Sequence, residues 1–101
     1  MSSLDYKLLG VVQTQLTRLE MQRALEGAGW SVHSEFDDGV ALCNPPFYLS
    51  LEGERSVLIE ATFSGQPEAL ERLMADLSPL CFSYALDLTG DSARLVRRLI
   101  A

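Results

Sequence analysis

The chain has 101 residues and a formal net charge of −6. That length suits one domain, taken as residues 1–101. With 48% hydrophobic and 22% charged residues the composition excludes a disordered chain. The acidic balance argues against nucleic acid or an anionic membrane as partner. The longest apolar run, Leu8 to Val12, is interrupted by Gly10 and is too short to cross a bilayer. The first residues, Met-Ser-Ser-Leu-Asp, lack a basic leader, so no signal peptide is expected. Cys43 and Cys81 are the only cysteines, and in such a chain they are expected to be reduced, which points to the cytoplasm.

Residues 4–12 fit two patterns. Leu4, Tyr6, Leu8 and Val12 alternate with polar positions as a strand does, while Leu4, Leu8, Val12, Leu16 and Leu19 fall on one helical stripe. Gly10 and the valine pair weaken a helix, so a strand is expected. Thr17-Arg18-Leu19-Glu20 has the form of a capping box and predicts a helix over about 17–28, stopped by Gly27 and Gly29.

A meander follows from Trp30 to Phe63. Trp30, Val32, Ser34 and Phe36 would share one face, and His33, Glu35 and Asp37 the other. A three-residue loop, Asp37-Asp38-Gly39, would keep the apolar side together, with Val40 opposite Phe36, Leu42 opposite Ser34, and Gly39 in a left-handed bulge position. The core face would then carry Trp30, Val32, Phe36, Val40 and Leu42. Asn44-Pro45-Pro46 ends that pairing. Phe47, Leu49 and Leu51 resume the alternation, a turn surrounds Gly53, and Val57, Ile59, Ala61 and Phe63 form the strongest strand. Leu58 on its second face suggests a central place in the sheet.

Pro67 opens a helix whose Leu70, Leu73, Met74 and Leu77 make one stripe, and Pro79 closes it. Leu80, Phe82, Tyr84, Leu86 and Leu88 alternate as another strand. A short last helix is predicted after an Asp91 cap, docking Leu95, Val96, Leu99 and Ile100. The expected fold is α+β: a mainly antiparallel sheet of four to five strands, with two or three helices largely on one face, in a split βαβ (ferredoxin-like) arrangement with an extra hairpin. The alternative is a helix-first order, α-β-β-β-α-β-α, with residues 4–28 helical.

Chemistry-bearing residues are few. His33 is the only histidine. In the three-residue-loop register it lies opposite Cys43, next to Glu35, which would bring together a thiol and a base. Glu60 lies in the most apolar strand, where partial burial would suit a general acid. Each has a plain structural reading as a solvated strand position. Tyr48 and Tyr84 read as packing residues, and Arg94, Arg97 and Arg98 as a solvated helix face. No phosphate loop, nucleophile elbow, CxxC pair or HExxH run occurs. No cofactor and no metal are expected. The expected function is therefore a non-enzymatic protein-binding or adaptor module that associates with another protein or with itself as a homodimer. The alternative is a small-molecule sensor or enzyme using the polar face of the 30–43 hairpin.

Overall fold

The computed structural model describes residues 4–91 and 94–101. Among them, seven strands form one antiparallel sheet: β1 (Leu4–Gln13), β2 (Ser31–Phe36), β3 (Gly39–Asn44), β4 (Phe47–Glu52), β5 (Ser56–Gly65), β6 (Ser83–Thr89) and β7 (Leu95–Ile100). The spatial order is β2-β3-β4-β5-β1-β6-β7. Two helices, α1 (Arg18–Gly27) and α2 (Leu70–Leu77), complete the α+β architecture. The sheet is larger than the four to five strands expected. The helix-first alternative is overturned, because residues 4–13 are strand.

β1 lies between β5 and β6 and pairs with both. Its register runs from Leu4 opposite Gly65 to Gln13 opposite Ser56 on one side, and from Lys7 opposite Thr89 to Gln13 opposite Ser83 on the other. The β5–α2–β6 connection therefore straddles β1. Tyr6, Leu8 and Val12 point from β1 into the core with Val57, Ile59, Ala61 and Phe63 of β5 and Leu86 and Leu88 of β6. Gly10 occupies the fourth inward position. A methyl group there would collide with the backbone of Ala85 and with Leu86, so glycine lets β6 lie against β1 without a side chain between.

Both helices cover this face. Met21 and Leu25 of α1, and Leu70, Leu73, Met74 and Leu77 of α2, are buried in the same cluster. The capping box is formed: the Thr17 hydroxyl accepts from the Glu20 amide at 3.1 Å, and the Glu20 carboxylate accepts from the Thr17 amide at 2.9 Å. Gly29, at φ 106°, turns the chain out of α1. Trp30 then enters the core, its indole N–H donating to Asp76 of α2 at 2.9 Å. Trp30, Phe47, Phe63 and Tyr6 form a chain of neighbouring rings with centroids 5.3 to 6.1 Å apart. The Arg72 guanidinium caps Phe47 at 5.5 Å. Arg18 ties the two turns at the far end together, donating to the carbonyls of Asp38 at 2.6 Å and Gly53 at 3.4 Å.

The first hairpin departs from expectation. Phe36 pairs with Gly39, so the loop is the two residues Asp37 and Asp38. Gly39 is not among the glycines with positive φ, which are Gly29, Gly53 and Gly65. The two-residue loop puts Glu35 opposite Val40. A bulge between Val32 and Ser34 absorbs the extra residue and restores Val32 opposite Leu42. The bulge sets Val32 and Leu42 on one side, whereas nearer the loop Glu35 and not Phe36 shares the face of Val40. Phe36, at 45% exposure, and Val32, at 38%, stay out of the core, whereas Trp30, Val40 and Leu42 are in it. Phe36 lies across Gly39, where any Cβ would strike its ring. Glycine is needed there for contact, not for backbone conformation.

The last element also departs. Ser92 and Ala93 lie outside the described residues, and Leu95–Ile100 is β7, paired with β6. Six residues sample too few turns for helical and strand periods to separate. The pairing gives β6 a hydrogen-bonded outer neighbour, and Arg98 reaches Asp87 across it at 2.7 Å. Phe82, expected in the alternating strand, precedes β6 and is 66% exposed.

Two predictions follow from this packing. Gly10→Ala overpacks the β1–β6 contact and lowers the unfolding free energy by about 1–3 kcal/mol, read from urea denaturation. The second concerns acid. Hydrogen bonds from Thr17 hold the Glu20 carboxyl below its usual range, and the Arg98 guanidinium does the same for Asp87. Their contribution is present above ordinary carboxyl values of about 4 and is lost as pH falls through the lowered ones. The Tm gap between the wild type and a Glu20→Gln/Asp87→Asn variant is widest near neutral pH and closes on acidification.

Candidate functional site

Helices cover one face of the sheet; the other is open. Its composition follows from which residues alternate outward. On β1 these are Asp5, Lys7, Leu9, Val11 and Gln13. The register aligns them into rows across the strands. One row reads Leu58, Val11, Ala85, Ile100 across β5, β1, β6 and β7. The row beside it reads Glu60, Leu9, Asp87, Arg98. On the other side lie Ser56, Gln13 and Ser83.

The first row is an apolar stripe in solvent. Leu58 is 39% exposed, Val11 38% and Ile100 72%, with Leu9 beside them at 45%. Isolated exposed apolar side chains are ordinary, but side chains aligned on adjacent strands form a continuous surface. The charges along its β1–β6–β7 flank are paired within the chain, while Glu52, opposite Leu58 on β4, forms no ion pair among the described residues. Lys7 meets Glu60 at 2.8 Å, and Arg98 meets Asp87. On the opposite flank the Ser56 hydroxyl donates to the Gln13 side chain at 2.7 Å.

The sequence candidates are distributed differently from the expectation. The bulge at His33 separates it from Glu35. Glu35 now pairs with Val40, whose side chain is in the core, so it lies on the helix side. His33 stands on the open side, its ring 6.3 Å from that of Tyr48 in an edge-on contact. Cys43 pairs with Ser31, not with His33, so the directly opposed thiol–imidazole pair is overturned. The cause is again the shorter loop. No hydrogen bond joins Cys43 and His33 among the described residues. Glu60 is ion-paired to Lys7 with its side chain 45% exposed, so it is not an acid set apart by burial.

Cys81 is a second, separate thiol. Burial pushes it up from its usual value, and its Sγ lies 3.7 to 3.8 Å from the carbonyls of Ser78 and Leu77. Tyr84 packs at the core margin. The three arginines do not form one patch: Arg97 meets Glu71 of α2 at 2.8 Å, whereas Arg98 lies on the open side. Thr14 is buried, its hydroxyl donating to the Leu80 carbonyl at 2.5 Å and accepting from the Leu16 amide at 3.0 Å. It fixes the segment that leads into β6.

Concave space on the open side is shallow. A hollow of about 210 Å³ borders His33, Tyr48 and Glu60. A wider one of about 580 Å³ lies at the sheet end near Asp5, Tyr48 and Asp91. No group of three or more metal-ligating side chains occurs among the described residues. No described helix is long and apolar enough to cross a membrane.

Leu9, Val11, Leu58 and Ile100 had a legible signal as a stripe. Leu8-Leu9, Val11-Val12, Val57-Leu58 and Leu99-Ile100 are apolar doublets, and a doublet in a strand must place one member on each face. Which outward members meet depends on a strand order that doublets do not contain.

His33→Ala is expected to leave the rate of Cys43 alkylation unchanged within about twofold, since no hydrogen bond joins the imidazole to the thiol among the described residues. Stopped-flow thiol titration of a Cys81→Ser background reads this directly. No family model, no curated protein and no solved structure matches the chain.

Proposed function

We propose that this protein is a non-enzymatic protein-binding module, working in the cytoplasm, whose working surface is the open face of the sheet. The fold behind that face is read as a split βαβ sheet extended by a hairpin on the β2 side and by β7 on the other. The observation that carries the proposal is the apolar stripe of Leu58, Val11, Ala85 and Ile100, flanked by paired charges. An apolar centre inside a polar margin is the anatomy of protein interfaces. Two free thiols support the compartment, since reduced cysteines persist there.

The enzymatic alternative has less support. His33, Cys43 and Glu60 do not converge on one hollow, and the hollow that His33 and Glu60 share is smaller than the roughly 300–1,000 Å³ of ordinary ligand sites. A photo-crosslinking residue in place of Leu58, on the open face, tests the proposal in cells. Leu58 is expected to give protein adducts, and the same residue in place of the exposed Leu19 on α1 is expected to give none. Adducts at Leu19 alone, or at neither site, reject the open face as the working surface.

A further inference from the structure

We infer that the occupant of the open face is a second copy of this chain, packed sheet against sheet about a two-fold axis that runs along the apolar stripe. The inference rests on the reading of that face as a protein-binding surface and names its partner. Charge is the first argument. The chain carries −6 overall, so two copies repel at long range and can meet only over a locally neutral surface. Around the stripe the face is close to such a surface, with Glu52 of β4 the charge that forms no ion pair among the described residues. Lys7 is cancelled by Glu60 and Arg98 by Asp87. A strongly basic partner would need uncompensated carboxylates beside the stripe, and a strongly acidic one uncompensated cations. Among the described residues the structure offers one such carboxylate, Glu52 beside Leu58, and no such cation.

Area is the second argument. Seven strands at about 4.8 Å spacing, each about 20–33 Å long, present roughly 600–900 Å². A stable interface takes about 800 Å² from each partner. The face of one copy therefore supplies the surface that the face of another needs.

The rows fix the axis. A two-fold along the stripe lays Leu58, Val11, Ala85 and Ile100 over the same four residues of the second copy. It exchanges the two flanks. The row of Glu60, Asp87 and Arg98 then meets Ser56, Gln13 and Ser83, so these ion pairs do not face their own copies; Glu52 of β4, in line with the stripe beyond Leu58, is the charge that does. Neutral hydroxyls and an amide receive the ion pairs at the margin, where water still reaches them. An axis along β1 would instead lay the ionic row over an ionic row. Sheets packed this way lie about 10 Å apart with their strands within about 30° of alignment.

Sedimentation equilibrium of the purified chain tests this, and the expected mass is twice 11.2 kDa. Val11→Arg and, at the outer end of the stripe, Ile100→Arg each weaken the pair by at least about thirtyfold. Leu19→Arg on α1 leaves it unchanged. Far-UV circular dichroism of each variant separates lost pairing from lost folding, and Ile100, being 72% exposed, keeps the test open should Val11→Arg fail to fold. In a Cys43→Ser/Cys81→Ser background, Ala85→Cys links to its own copy through a bis-maleimide of about 10 Å, whereas Ser64→Cys, roughly 20 Å from the axis along β5, does not. A monomer at about 100 µM, a pair indifferent to both arginine variants, or linkage through Ser64 overturns the inference. A purified monomer that still gives adducts at Leu58 in cells rejects the second copy and leaves the binding module standing; a monomer without such adducts rejects both.

Discussion

The pairing of β1 on both sides is the constraint on which the structure depends. The meander of β2 to β5 and the hairpin of β6 and β7 are built from separate parts of the chain, and β1 is the strand that joins them. It supplies Tyr6, Leu8 and Val12 to the covered face and Leu9 and Val11 to the open one. Gly10 sits at the point of closest approach to β6. A change in the state of these ten residues would divide the sheet and unpair both β5 and β6. The helices depend on it too, since α1 and α2 bury their stripes against a face whose middle is β1.

Two short helices cover one side of a seven-stranded sheet. The aromatic chain from Trp30 to Tyr6, the Trp30–Asp76 hydrogen bond and the Arg72–Phe47 contact all gather on that side. On the other side the described aromatic contact is the edge-on pair of His33 and Tyr48. The sheet is therefore strongly polarised, with a dry face and a face that holds ion pairs, hydroxyls and one apolar stripe.

The sequence was informative where local rules decide. The Thr17–Glu20 capping box, the stripe of α2, the β5 alternation and the turn at Gly53 all follow from spacing within a few residues, and each formed. It was uninformative where partners at a distance decide. Leu95–Ile100 reads as helix or strand until β6 is seen to need a neighbour. The length of the first hairpin loop was inferred from a wish to keep faces uniform, and a bulge at His33 meets that need only for Val32 and Leu42. The shorter loop moved Glu35 to the helix side, and together with the bulge it set Cys43 opposite Ser31, so the directly opposed pair with His33 does not form. The open-face stripe was half legible: doublets mark which strands have two apolar faces, but only the strand order aligns them.

The central place of the first strand has a consequence for how the molecule comes to exist. The Thr89 hydroxyl donates to the carbonyl of Lys7 across 82 positions of sequence. Contacts so remote must wait for loop closure, so this topology belongs with slow-folding chains. During synthesis β1 is made well before its β6 partner. Until β6 emerges, one side of β1 has no mate, and its Leu8-Leu9 and Val11-Val12 doublets are open to whatever is near.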